Sequence, residues 1–245
     1  LIETTVTIGE VDTRVVLDEQ ATTVPDEATG VDVLVKRTIN ADEWSTICLP
    51  FAMTEEQVKT AFGDDVELGD FTGYTTTMDD DDKIVGITVD FADVTDIAAN
   101  HPYIIKVTTP VTYADGFTVD GVDIEPDEEP MINRGTNRKW KKFIGTYVAN
   151  TTVPELCLFL SGNKFWYSLG LTKMKAFRAY FDFYDVVEVA PEESAPVLIN
   201  LDGQLTRIDQ LNIDNNDDNY YTLDGRAVKT PGKGVYIHNG KKVVI

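Results

Sequence analysis

The chain has 245 residues and a formal net charge of −21, with 42% hydrophobic and 10% aromatic residues. That much apolar material can bury a core, and the composition lacks the polar bias of a disordered chain. Because so negative a chain repels phosphate backbones and anionic lipid surfaces, nucleic acid is excluded as an expected partner.

No stretch approaches the roughly 18–20 consecutive apolar residues that a membrane-spanning helix needs. The chain opens with Leu1, Ile2 and Glu3, without the basic and apolar regions of an export signal. We therefore expect no membrane-spanning segment, and we expect any export signal to be missing from this chain.

Short runs rich in Val, Ile, Thr and aromatic residues follow one another along most of the chain, separated by Gly, Asp, Asn and Pro clusters. This spacing predicts an all-β sandwich or barrel rather than alternating strands and helices, and we favour a sandwich, with a jelly roll as one candidate topology. Residues 171–181 fit helix or strand, and the alternation in the second half favours strand. The predicted strands cover residues 4–8, 13–17, 31–39, 46–51, 74–78, 84–91, 103–108, 116–119, 143–147, 157–160, 164–167 and 176–183.

One short helix is predicted after residue 54. Thr54 and Gln57 have the spacing of a capping box, in which a hydroxyl and an amide three residues on satisfy each other's backbone N–H groups. Val58 and Phe62 then follow at helical spacing, and Gly63 is a stop signal.

The composition changes at residues 191–196, where Pro, Glu, Ser and Ala displace the aromatic-rich pattern. We therefore predict a β-sandwich domain over 1–190 and a small β-unit over 197–245. In the second unit a polar run at 214–219 precedes three short predicted strands, and Asn239-Gly240 is a strong signal for a hairpin turn. This tail either serves export or surface attachment, or caps the sandwich.

The string DDDDKIVG at 79–86 resembles the activation site of a trypsinogen-like zymogen. A protease of that kind needs His, Asp and a Ser in a Gly-Asp-Ser-Gly setting, and the chain has two histidines and no such serine. We predict instead an acidic turn between two strands. Glycosidases use paired carboxylates, but an abundance of acidic residues does not identify a pair. We predict no catalytic residues.

Acidic clusters at 79–82 and 214–218 are the candidate calcium ligands. The second fails as an EF-hand loop, because Asn219 stands where glycine is required and Gly225 where the bidentate Glu should be. His101 and His238 lie far apart in turn or strand-edge contexts. We therefore predict no metal site and no cofactor, with the acidic runs as solvated loops.

Cys48 and Cys157 both lie in apolar runs that resemble buried strands. Two cysteines fit no zinc spacing, which leaves two core thiols or one disulfide. The apolar surroundings favour the thiols.

Aromatic residues are candidates for a sugar-stacking platform, although aromatics at strand spacing more often fill a core. We expect Trp44, Cys48 and Phe51 in the core. The candidate platform residues are Trp44, Trp140, Trp166, Phe165, Tyr167, Phe177, Tyr180, Phe181 and Tyr184.

Several strings resemble, in the same order, a β-rich module of exported surface proteins of Bacteroides and Prevotella type bacteria. The resemblance covers residues 13–245 and ends in a short carboxy-terminal element that looks like those at the ends of such proteins. It implies a secreted or outer-envelope location, and it carries over no catalytic or binding residue. The strings are VKRTI at 35–39, WSTICLPF at 44–51, PYIIK at 102–106, GTY at 145–147, LFLSGNK at 158–164, AFRAYF at 176–181, YTLDGRAV at 221–228, GVYI at 234–237 and NGKKVVI at 239–245.

The function that we expect is a non-catalytic interaction or surface-display module, with a carbohydrate or another envelope protein as its partner. A carbohydrate-binding module is the first alternative and requires exposed aromatics on one sheet face or a lined groove. A polysaccharide-acting enzyme is the second, and it requires two carboxylates in one cleft.

Overall fold

The computed structural model describes residues 13–189, 195 and 197–206, together with four short strands between residues 220 and 244. Internal contacts divide the chain into two units, Leu1–Ile208 and Asp209–Ile245. The larger unit has an all-β, sandwich-type fold, which confirms the predicted fold class. Its described part contains two short helices, α1 (Glu55–Phe62) and α2 (Tyr184–Val189).

The strands of the larger unit are mostly short, as the sequence predicts. In chain order they are β1 (Val15–Asp18), β2 (Ala28–Lys36), β3 (Ser45–Ile47), β4 (Glu67–Met78), β5 (Ile84–Val94), β6 (Tyr103–Lys106), β7 (Phe117–Ile124), β8 (Met131–Asn133), β9 (Lys141–Thr146), β10 (Thr151–Thr152), β11 (Leu158–Ser161), β12 (Lys164–Tyr167), β13 (Lys173–Met174), β14 (Arg178–Phe183), β15 (Val197–Leu201) and β16 (Gln204–Thr206).

These strands form four sheets in the described part of the larger unit. A six-stranded sheet has the order β16-β15-β5-β4-β6-β3, and a five-stranded sheet has the order β12-β11-β14-β9-β8. A three-stranded sheet, β1-β2-β7, and the β10-β13 pair complete the set. Most neighbours are antiparallel, but β1 runs parallel to β2, and β15 runs parallel to β5.

The six-stranded sheet has apolar residues on both faces, because successive side chains of a strand point to opposite sides. On β6, Ile104 belongs to one buried cluster, while Tyr103 and Ile105 belong to another. The Ile104 cluster lies between the six-stranded and five-stranded sheets, and it joins Phe71 of β4 to Phe181 of β14. The two large sheets are therefore the two layers of the sandwich.

The second cluster lies on the other face of the six-stranded sheet. It includes Val33 and Val35 of β2, Phe117 of β7 and Phe62 of α1. The rings of Phe62 and Phe117 are 4.7 Å apart, so α1 packs on the three-stranded sheet. This sheet and α1 form a third layer over part of the sandwich.

The predicted helix is confirmed, with the capping box at its start and the glycine at its end. The Thr54 side chain accepts a hydrogen bond from the Gln57 backbone N–H, and the Gln57 side chain accepts one from the Thr54 N–H. Gly63 follows at φ 94°, in the left-handed region that glycine tolerates best.

Most predicted strands are present with bounds shifted by a few residues, and the predicted strand at 4–8 lies outside the described residues. The predicted strand at 176–183 begins at Arg178, because Phe177 has φ 59° and interrupts the extended chain. The short helix α2 was not predicted: its sequence YDVVEV is rich in β-branched residues, which favour strands.

The boundary between the two units lies between Ile208 and Asp209, later than the predicted 190–197 boundary. The reason is β15, which pairs with β5 in the register Val197 to Ile87 and so extends the six-stranded sheet. Val197 and Ile199 are buried in the cluster between the large sheets. Residues after the Pro-rich and Glu-rich segment thus complete the sandwich.

The described residues of the smaller unit form four strands, where the sequence predicted three. They are β17 (Tyr220–Thr222), β18 (Ala227–Val228), β19 (Val235–His238) and β20 (Lys241–Val244), in the antiparallel order β18-β17-β19-β20. The β19-β20 hairpin ends with His238 paired to Lys241. The predicted turn residues between them, Asn239 and Gly240, lie outside the described residues.

Candidate functional site

The outward face of the five-stranded sheet carries the candidate site. On β14, Ala179, Phe181 and Phe183 point into the core between the large sheets, so Tyr180 and Asp182 point away from it. The same alternation on β9 places Phe143 inside and Ile144 outside.

Strand register places apolar side chains side by side on this outward face. Tyr180 pairs with Ile144, and Ile144 pairs with Met131 of β8. Further across the sheet, Phe159 of β11 pairs with Trp166 of β12. Met131 and Trp166 are each 38% exposed at the two edges of the sheet.

The middle of this face is partly covered. Phe159 and Tyr180 pack against a small buried cluster of Val153, Cys157 and Met174. Met174 belongs to β13, which pairs with β10, so part of this two-stranded sheet packs on the middle of the outward face. The face is therefore open around Trp166 at one edge and around Met131 at the other.

A groove with a volume of about 360 Å³ lies on this face around Met131. We define its floor as Met131, Ile144 and Tyr180, and its walls include Val24 and Val148. The volume lies near the lower end of the range of about 300–1,000 Å³ that is typical of small-molecule sites.

The rim of the groove carries charged side chains: Glu128, Glu129 and Lys142 line it. Within the part of the chain that is described, the two glutamate side chains take part in no hydrogen bond or ion pair. Their carboxylate oxygens are therefore available as hydrogen-bond acceptors beside an apolar floor.

The Tyr180 hydroxyl is a donor on the floor of the groove. Burial raises the pKa of Tyr180 to about 12, together with the neighbouring Cys157, Asp182 and Glu129. Asp182 and Glu129 contribute to this rise as negative charges, so both carboxylates lie near Tyr180. The hydroxyl keeps its proton at neutral pH.

Trp140 is held at the outward face beside Lys142. Its indole Nε1 donates a hydrogen bond to Asp182 Oδ1 at 2.6 Å, and the Tyr184 ring lies 5.0 Å away in an edge-on arrangement. Lys142 Nζ is 5.9 Å from the centre of the indole ring. Asp182 and Lys142 thus have partners on the protein itself.

The predicted platform residues divide between the core and the outward face. Trp44 is buried in the core, as expected, together with Cys48 and Phe51. Trp140, Trp166, Tyr180 and Tyr184 lie on or beside the outward face, with Tyr180 alone lining the groove. The inward or buried members are Phe165, Tyr167, Phe177 and Phe181.

His101 forms an ion-pair cluster on the surface of the larger unit. Its Nε2 is 2.7 Å from Asp70 Oδ1, and Arg134 Nη2 donates to Asp70 Oδ2 at 2.9 Å. Burial raises the pKa of Asp70, but the hydrogen bond and charge of His101 and the charge of Arg134 outweigh it, so the pKa is lowered. The side chain of His238 lies outside the described residues.

Glu19 is the acidic residue most deeply enclosed by cations. Its side chain is fully buried, and its two oxygens accept hydrogen bonds from Lys175 Nζ at 2.6 Å and Arg178 Nη2 at 2.8 Å. Burial raises the pKa of Glu19, but the two cations outweigh burial and lower it. Beside it, the buried Arg37 donates to the backbone carbonyls of Phe177 and Thr46. These contacts join Glu19 to residues 175–178, which Arg37 also contacts, and they keep Glu19 ionised.

Both cysteines are free and buried, which confirms the prediction of core thiols. Burial raises the pKa of Cys48 and of Cys157 to about 12. Cys48 packs against Gly145 so closely that a Cβ at that position would lie 2.8 Å from the Cys48 Cβ. Glycine is required there by close approach and not by its backbone angle.

The acidic run at 79–82 is a turn between β4 and β5, as predicted. Asp79 Oδ1 accepts hydrogen bonds from the backbone N–H groups of Asp81 and Lys83. The second acidic run, 214–218, lies outside the described residues. Among the residues that are described, no three His, Cys, Asp or Glu side chains group as metal ligands would.

None of the described helices has the length and apolar character needed to cross a lipid bilayer. No family model, curated protein or solved structure matches the chain.

Proposed function

We propose that this chain is a non-catalytic binding module of an exported bacterial surface protein, and that the groove on the five-stranded sheet is its ligand site. The observation that carries the proposal is the juxtaposition of Met131, Ile144 and Tyr180 with Glu128 and Glu129, whose carboxylates have no ion-pair partner among the described residues. A concave apolar floor with a few polar groups at its edge is the common form of a small-ligand site.

The state of the enclosed ionisable groups supports binding rather than catalysis. A general acid needs a carboxyl group with a raised pKa, whereas the pKa values of Glu19 and Asp70 are lowered. A thiol nucleophile needs a lowered pKa, whereas those of Cys48 and Cys157 are raised. These shifts keep the carboxylates charged and the thiols protonated, which suits structural roles.

The surface location rests on the resemblance to exported modules. The resembling strings supply core residues: residues 44–51 alone contribute Trp44, Ile47, Leu49 and Phe51 to the buried clusters. Of the groove floor, Tyr180 lies in one of those strings, at 176–181, while Met131 and Ile144 lie outside them.

A polysaccharide-acting enzyme is the second candidate, and the observation in its favour is the presence of Glu128 and Glu129 at one groove. Two carboxylates flanking a bound sugar are the equipment of a glycosidase. A glycan-binding experiment separates the two functions, because an enzyme converts the bound glycan and a binding module releases it unchanged.

The test uses a glycan array and a phage-displayed peptide library as probes. Met131→Ala alters the groove, and Met78→Ala is the matched control, because Met131 is 38% exposed and Met78 is 43% exposed at the end of β4 in the other large sheet. We expect a retained ligand whose binding weakens at least about fivefold in Met131→Ala and is unchanged in Met78→Ala.

Equal binding of every retained ligand by both variants would show that the groove is not the site. Conversion of a retained glycan that is abolished by Glu128→Gln or Glu129→Gln would show that the module is an enzyme.

A further inference from the structure

We infer that the ligand of the groove is a neutral glycan, meaning a chain of sugar residues without acidic groups. This inference rests on the proposed binding function and names its ligand class. Three properties of the groove carry it: the character of its floor, the hydrogen-bonding groups at its rim, and the sign of its charge.

The floor suits the apolar face of a sugar ring. Tyr180 contributes an aromatic ring, and Met131 and Ile144 extend the apolar surface across two further strands. A sugar ring presents C–H groups on its faces and hydroxyl groups around its edge. Such a ring can lie on the floor while its hydroxyl groups point to the rim.

The rim suits hydroxyl groups. The carboxylates of Glu128 and Glu129 accept hydrogen bonds and donate none, and bonds to ionised acceptors are the stronger kind. The Tyr180 hydroxyl supplies a donor from the floor. Lys142 supplies further donors at the rim, so the groove offers both acceptors and donors, which matches a ligand that presents several hydroxyl groups.

The charge of the groove disfavours acidic sugars. Among the described residues that line it, Glu128 and Glu129 are acidic and Lys142 is basic, and Asp182 pairs with Lys142 across strands β14 and β9. The net charge of the whole chain, these residues included, is −21. A uronate or sulfate group would meet like charges at close range, and the protein's field would slow its approach.

The strand order of the sheet disfavours an extended peptide as the ligand of the floor. Peptides that bind sheets commonly add a strand to a free edge, which here is β8, the strand that carries Met131. A peptide paired with β8 would lie beside the sheet and not over Ile144 and Tyr180, whose strands β9 and β14 are paired on both sides. A ligand held by ring stacking and hydroxyl hydrogen bonds can lie over the floor itself.

The test is affinity electrophoresis in native gels that contain one polysaccharide each. The neutral probes are mixed-linkage β-glucan, xylan, mannan and galactan, and the acidic probes are polygalacturonate and alginate. The groove variants are Met131→Ala and Glu129→Gln. Their matched controls are Met78→Ala and Glu56→Gln, an exposed glutamate on α1 that does not line the groove.

We expect at least one neutral polysaccharide to retard the protein and neither acidic one to do so. Each groove variant should raise the dissociation constant for that polysaccharide at least about fivefold, and each control should leave it unchanged. Glu129→Gln migrates differently because of its charge, so its mobility is compared with that of Glu56→Gln in the same gel.

Three outcomes would overturn the inference: retardation by acidic probes alone, retardation that Met131→Ala does not weaken, or no retardation by any neutral probe. If peptides from the library bind instead and their binding needs Met131, the neutral-glycan inference fails while the binding function stands. If no glycan or peptide depends on Met131, both fail.

Discussion

Replacement of Phe181 by alanine removes the central ring of the aromatic cluster between the two large sheets. Phe181 is fully buried, and its ring stacks on that of Phe143 with centroids 4.1 Å apart and planes 6° from parallel. The rings of Phe71 and Phe165 lie edge-on at 5.8 Å and 5.7 Å. These neighbours belong to strands of both sheets, so the surroundings cannot readily close over the space that is left.

The expected loss of stability is about 4–5 kcal/mol. Truncation of a buried Phe to Ala costs about 3–5 kcal/mol, with higher values where the site cannot collapse. An aromatic pair contributes about 0.5–1.5 kcal/mol beyond its buried area, and Phe181 forms one stacked pair and several edge-on pairs. Both considerations place the stability loss of Phe181→Ala near the upper end of the range for buried phenylalanines.

The measurement is urea-induced unfolding followed by near-ultraviolet circular dichroism, which reports on the packing of aromatic rings. Phe159→Ala is the control, because Phe159 is only partly buried, on the outward face of the same sheet. The double variant Phe143→Ala/Phe181→Ala should lose about 0.5–1.5 kcal/mol less than the sum of the single losses. A loss below about 1 kcal/mol for Phe181→Ala would refute the assignment of this cluster as the sandwich core.

Four further predictions concern the core residue Phe51, the buried Glu19, the two cysteines and the tail. Phe51→Ala should cost about 3–5 kcal/mol in denaturant unfolding, because Phe51 is fully buried, and a loss below about 1 kcal/mol would show that it is not a core residue. Glu19→Gln should cost about 1–3 kcal/mol at pH 7, since it removes charged hydrogen bonds from a buried site. Because the folded-state pKa of Glu19 is lowered, its stabilising contribution is complete above the unfolded pKa and is lost as the pH falls through the folded pKa. The stability difference between wild type and Glu19→Gln should therefore shrink below about pH 4, and a difference independent of pH would contradict the ion pairing. Cys48 and Cys157 should react with a thiol reagent at pH 8 only after unfolding, because burial raises both pKa values to about 12, and rapid reaction of the native protein would contradict their burial. Deletion of residues 220–245 should leave thermal melting of the larger unit unchanged and reduce the amount that reaches the surface of the native host, if the tail serves export. A much lower melting temperature with unchanged export would show that the tail is a cap.

Local features of the fold could be predicted where a short stretch of sequence determines them. Thr54 and Gln57 satisfy each other's backbone N–H groups within one turn of helix, so the start of α1 can be predicted from four residues of sequence. The turn at 79–82 likewise depends on Asp79 and its immediate neighbours. The apolar runs around Cys48 and Cys157 similarly indicated burial.

The pairing of distant strands could not be predicted, because it depends on registers that no single stretch contains. Val197 follows a segment typical of a linker, yet it pairs with Ile87 and completes the six-stranded sheet. The helix α2 could not be predicted either, because its β-branched residues favour a strand while the chain forms a helix directly after β14.

The groove was missed for the same reason. Its floor brings together residues 131, 144 and 180, which become neighbours only through the pairing of β8 with β9 and of β9 with β14. Most of the candidate platform aromatics lie elsewhere, and Trp44 is in the core. Tyr180 was named among the candidate aromatics, but Met131, Glu128 and Glu129 carry no motif that would have marked them.

Methyl NMR of the methionines tests the groove most directly. The chain has four methionines, and Met131 is the member that lines the groove, while Met78 is similarly exposed elsewhere and Met53 is buried. The titrant is an oligosaccharide from the neutral polysaccharide that retards the protein in gels. We expect the Met131 methyl signal to shift with saturation while the signals of Met53 and Met78 stay in place. An unchanged Met131 signal at saturating ligand, or a shift confined to Met78, would contradict the groove as the ligand site.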